Sequence, residues 1–165
     1  MAVRRSFAVR LGLALAAAGL PQLAAAEATK PSPKQVAAVR ACADKHKDDD
    51  IAEAERKCVF ALVAEPCQST PEGQSTIGMA ECFRLETAIW DELLNENYKR
   101  LRDGLDAQQA AKLRDMQRAW LASRDATCGF YDVRINGTMA IPAAAACLTR
   151  ETARRALLLR AFGDM

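Results

Sequence analysis

The stretches MAECFRLETAIWDELLNENYKRL (Met79–Leu101) and KLRDMQRAWLASRDATC (Lys112–Cys128) decide the fold class. In the first, Cys82, Leu85, Ile89 and Leu93 mark one edge of a broad apolar face. Phe83, Trp90, Leu94, Tyr98 and Leu101 mark the other. In the second, Leu113, Gln117, Trp120, Arg124 and Cys128 recur at steps of four, three, four and four. Both patterns follow the 3.6-residue period of an amphipathic helix. No segment of the chain alternates at period two, so the reading is all-α. One detail departs from an ordinary core helix: Gln117 and Arg124 stand in line with Trp120 where leucine is expected.

Working outward, Gln35 to Lys47 forms a first helix, and the charged run Lys45 to Asp50 is the turn after it. Asp50 with Glu53 resembles a capping box opening a second helix that ends near Ala64, before Glu65-Pro66. Cys67 to Thr76 (CQSTPEGQST) is a loop by composition. The third helix runs from about Ile77 to Arg102 and stops at Gly104. Asp106 with Gln109 caps the fourth, which reaches about Asp132. Asn136-Gly137 makes a turn, and a fifth helix runs from Pro142 to about Phe162. The expectation is about five antiparallel helices in a small disulfide-stapled bundle.

All six cysteines, Cys42, Cys58, Cys67, Cys82, Cys128 and Cys147, lie after the N-terminal leader. An even count in an exported chain reads as disulfides, and six cysteines allow about fifteen connectivities. Short connections make sequential helices antiparallel neighbours, so residues equidistant from a turn face each other. Cys42 and Cys58 flank the turn near Asp49, Cys67 and Cys82 bracket the loop around Gln74, and Cys128 and Cys147 flank Asn136-Gly137. The proposed pairs are therefore 42–58, 67–82 and 128–147.

Residues 1–26 read as an export signal. Arg4, Arg5 and Arg10 supply the positive region, Leu11 to Leu20 the apolar run, and Ala24-Ala25-Ala26 a cleavage site near Ala26. The apolar run is short for a membrane span, and no later stretch is long enough, so the mature form is not membrane-embedded. Periplasmic or secreted localisation follows. Three of the 23 basic residues lie in this leader, so the remainder carries 20 against 21 acids, a net of −1. That balance gives no basic stripe for nucleic acid. Residues 27–34 are a polar, proline-containing flexible arm, 35–76 a cysteine-containing helical extension, and 77–165 the main helical domain.

The sequence is poor in the groups that carry catalysis. His46 is the only histidine and sits in a charged turn, with no CxxC spacing for zinc and no CxxCH for haem. No cofactor or metal is expected. A serine triad would need His46 and lacks a GxSxG elbow, and paired cysteines offer no thiolate. A carboxylate-pair hydrolase is the weakest alternative, and the reading is not an enzyme. The polar positions make a network instead. Gln117, Trp120 and Arg124 project from one face. If that face packs on the third helix, Arg124 needs a carboxylate, with Glu86 and Asp91 as candidates and Asn95, Tyr98 and Asp125 as further members. Such a network fixes helix register or shapes a binding surface.

These residues resemble the lysozyme inhibitor LprI-like family of bacterial cell envelopes. The resemblance covers about Met79 to Leu158: Met79-x-x-Cys82, Leu94-Asn95-x-x-Tyr98-x-x-Leu101, Gln117-x-x-Trp120-x-x-x-Arg124-Asp125-x-x-Cys128, Cys147-Leu148-Thr149, and Arg154 or Arg155 before Leu158. It implies an exported, disulfide-bonded helical binding protein with a protein partner such as lysozyme. The alternative is an envelope interaction or scaffold module without inhibitory activity. Inhibitors usually act through an exposed loop, and Cys67 to Thr76 and Phe130 to Ile141 are the candidates, since disulfides at their bases lower the ordering cost of binding.

Overall fold

The computed structural model describes residues 30–165. The leader assigned to residues 1–26 and the start of the arm lie outside them. Six α-helices follow in order: α1 (Pro33–Lys45), α2 (Ile51–Cys58), α3 (Ala64–Gln68), α4 (Thr76–Asp103), α5 (Ala107–Arg134) and α6 (Ala140–Gly163). No strand occurs among the described residues, so the fold is an all-α bundle.

Side-chain caps set most helix starts, as local chemistry requires for the orphan N–H groups of a first turn. Ser32 and Gln35 form a capping box on α1, and Asp106 and Gln109 form one on α5. Asp50 accepts from the Glu53 N–H at 2.8 Å, and Ser75 from the Gly78 N–H at 2.9 Å. Gly137, at φ 97°, takes the left-handed conformation in the α5–α6 turn that glycine adopts without a Cβ penalty.

The core is built where α6 lies against α4. On α6 the buried face carries small residues, Ala145, Thr149, Thr152, Ala153 and Ala156, which let the helices approach closely. Ile89, Trp90, Leu93 and Leu94 of α4 and Leu157 and Leu159 of α6 fill the space, and Val39 and Ala43 of α1 and Ala54 and Cys58 of α2 join the same cluster. Polar bonds fix the register of α4 on α6. Asn97 Nδ2 donates to the Ala156 carbonyl at 3.0 Å, and the Thr87 and Thr149 hydroxyls meet at 2.8 Å. Three disulfides staple the frame: Cys42–Cys58 joins α1 to α2, Cys67–Cys82 joins α3 to α4, and Cys128–Cys147 joins α5 to α6.

The helix expected from Asp50 to Ala64 divides in two. It stops at Cys58, the chain turns through Val59–Val63, and α3 begins at Ala64. Phe60 occupies the left-handed region at φ 74°, which is uncommon for any residue but glycine. Its ring is held edge-on to Phe83 at 5.3 Å, and the Arg150 guanidinium lies 5.4 Å from the ring centroid. The segment 67–76, read as a loop, continues α3 to Gln68 and then forms a 3-10 turn over Glu72–Gln74. Close backbone packing explains it. A Cβ on Gly73 would meet the Cys67 carbonyl oxygen at 2.2 Å, and one on Gly78 the Glu72 oxygen at 2.0 Å.

Candidate functional site

The flagged polar residues separate into a buried anchor and a surface groove. Glu86 of α4 is the anchor, with no solvent exposure. Its Oε1 accepts from the Phe60 N–H at 2.7 Å and the Trp90 indole N–H at 3.0 Å, and its Oε2 accepts from the Ala64 N–H at 2.9 Å. The carboxyl thus satisfies the turn at Phe60 and the first turn of α3. Burial pushes its pKa above the ordinary value, outweighing the three donors that favour the charged form.

Asp91, Asn95 and Tyr98 of α4 and Gln117 and Trp120 of α5 line one groove of about 270 Å³ between the two helices, together with Leu94, Arg114, Arg118 and Leu121. Asn95 donates to Asp91 at 3.1 Å. The groove exists because α5 leans on α6 rather than lying flush on α4. Along α5 only Leu113 and Cys128 are fully buried.

Arg124 does not reach Glu86 or Asp91. Its Nε and Nη2 donate to Asp125 Oδ1 of its own helix at 2.9 and 2.8 Å, and its guanidinium lies 5.0 Å from the Trp120 ring centroid. The physical reason is twofold. Glu86 is already occupied by backbone donors, and a long arginine stem can lie on the indole while its head finds an acid at the surface.

The residue that does penetrate is Arg155 of α6, only 6% exposed. Its Nε donates to Gln117 Oε1 at 2.8 Å, and its guanidinium lies 5.4 Å from the Trp120 centroid. Its Nη2 is enclosed without an acceptor among the described residues. Burial pulls the pKa of this guanidinium down, yet arginine stays charged in proteins. The indole contributes about 2 kcal/mol and one charge-assisted hydrogen bond about 1.5–3. Together these offset only part of a desolvation cost that runs to several kcal/mol per ion. The sequence signal was available in ARRALLL: Arg155 falls three after Thr152 and four before Leu159, within the buried face of α6.

The two candidate loops present different chemistry. The 67–76 segment shows solvent Thr70, Pro71 and Glu72. The α5–α6 corner shows Phe130, Val133 and Met139, which are 60%, 78% and 50% exposed. Phe130 and Val133 are one turn apart on the same face. The Cys128–Cys147 bond holds the two helices together at the base of this corner. Among the described residues no helix is long and apolar enough to cross a membrane.

A family model described as lysozyme inhibitor LprI matches residues 67–159. No curated protein and no solved structure matches the chain.

Proposed function

The chain belongs to the lysozyme inhibitor LprI family, and from that membership we propose an exported binding protein that inhibits a peptidoglycan-cleaving enzyme of the lysozyme type. The observation that carries the reading is the α5–α6 corner. Phe130, Val133 and Met139 are large apolar side chains held in water by a corner that a disulfide pins at its base. Aromatic residues and methionine are enriched at protein interfaces, and a rigid presenting element loses little entropy on docking. In this reading the leader is cleaved near Ala26, residues 27–34 remain a flexible arm, and 35–76 is an extension that braces the family domain. The polar network around Gln117 and Trp120 holds α5 in place behind the corner.

The test uses oxidised protein recovered from the periplasm, whose intact mass should begin at Glu27. Added to several lysozymes, it should inhibit cell-wall lysis stoichiometrically, and salt should weaken the effect. Phe130→Asp and Val133→Asp should each raise the inhibition constant by about tenfold or more, the effect of a lost central anchor. Glu72→Gln, on the other candidate loop, should leave it unchanged. Absence of inhibition at micromolar protein across all the lysozymes sinks the inhibitory reading and leaves an envelope interaction module. That module would be seen as specific co-purification of another partner.

A further inference from the structure

Arg155 forms part of the wall of an open pocket of about 200 Å³, with Ile51, Trp120, Glu151, Arg154 and Leu158. The pocket has the components of an anion receptor. Its cation is buried, charged and incompletely bonded, since Nε is engaged by Gln117 and Nη2 meets no acceptor among the described residues. The acids nearby are taken: Glu55 pairs with Arg150 and Arg154, and Glu151 with Arg154 at 3.5 Å. Ile51, Leu158 and the indole supply apolar surface beside the charge. A guanidinium offers a planar fork of donors that matches a carboxylate in two-point geometry.

We propose that this pocket, between α2, α5 and α6, is a binding site for the carboxylate of a compact ligand, with Arg155 as its cation and Trp120 as its wall. A volume of about 200 Å³ lies below the range of drug-sized sites, so it takes a small acid or the carboxylate end of a peptide. Nη2 is enclosed in this structure, so a ligand reaches it when lining side chains shift, and the partly exposed Arg154 and Glu151 line the same opening. The site is independent of the α5–α6 corner and of whether lysozyme is the partner.

The test is an NMR titration of the oxidised full-length mature protein, following the Trp120 indole N–H, with Trp90 as the buried internal control. The probes are lactate as a free small acid, N-acetylalanine as a peptide end, and N-acetylalanine amide as a neutral control. Saturable shifts with at least one acid, and at least tenfold weaker response to the amide, are expected. The better acid identifies the source of the carboxylate. Arg155→Lys should weaken binding at least tenfold by removing the fork while keeping the charge. Should that variant fail to fold, Glu151→Gln provides the reading: removing the pocket's own acid should tighten binding several-fold. Non-saturable shifts, equal response to acid and amide, or binding unmoved by Glu151→Gln overturns the proposal.

Discussion

At Glu86 two requirements compete. Three N–H donors favour the carboxylate, while full burial favours the neutral acid, and burial prevails in the direction of its pKa. Below its ordinary value of 4.5 the group is neutral in folded and unfolded chains alike. Above that, the unfolded chain ionises first while the folded chain resists. This residue's contribution to stability therefore falls as pH rises from 4.5 through its raised folded value. Glu86→Gln leaves one N–H facing an amide NH2, at a cost of about 1–3 kcal/mol. The deficit of the variant should be largest below pH 4.5 and should narrow as pH rises. Denaturant melts of both proteins across a pH series check this, and a deficit that widens with pH contradicts it. The sequence offered Glu86 only as a candidate carboxylate for Arg124. Its backbone partners were not legible, because they lie 22 and 26 residues away.

Among the elements, α4 and α5 were readable because their apolar spacing and their capping residues are local. The break between α2 and α3 was not, since nothing local ends a helix at Cys58. It depends on Glu86 from α4 accepting the N–H groups that the break releases, and on Phe83 receiving the Phe60 ring. The same limit applies to the groove. Spacing alone put Gln117, Trp120 and Arg124 on one face, but whether that face met α4 or α6 depended on how the small residues of α6 nest on α4. Phe60 gives a direct measure of the cost of the break. A non-glycine residue in the left-handed region costs roughly 1–2 kcal/mol, less than the aromatic pair and burial return. Both Phe60→Ala and Phe60→Gly should therefore destabilise. Against the usual order, Phe60→Gly should be the more stable of the two by about 1 kcal/mol, because alanine keeps the backbone strain and glycine relieves it. Equal stability, or alanine above glycine, in equilibrium unfolding rules out a strained turn.

For the molecule as a whole, stability is divided between a modest core and three covalent staples. The largest buried side chains concentrate on α4, while α5 buries only Leu113 and Cys128 completely and joins α6 largely through Gln117, Trp120 and the Cys128–Cys147 bond. The disulfides close loops of 16, 15 and 19 residues, and chain-entropy reasoning assigns each about 3 kcal/mol. Three such terms are comparable to the whole stability of a typical domain, about 5–15 kcal/mol. The reduced chain is therefore expected to lie near or beyond its unfolding midpoint at about 37 °C. Loss should also be uneven. Reduction should release α5 first, because without Cys128–Cys147 its remaining hold is the buried Leu113, the partly buried Met116 and Trp120 and one polar bond from Arg155 to Gln117, whereas α4 and α6 keep their nested small-residue face. Hydrogen exchange on the oxidised and the reduced, alkylated protein reads this directly. Protection should collapse along residues 107–134 before it does along 76–103. A reduced protein with an unchanged melting temperature and uniform protection would show that the core alone sustains the bundle.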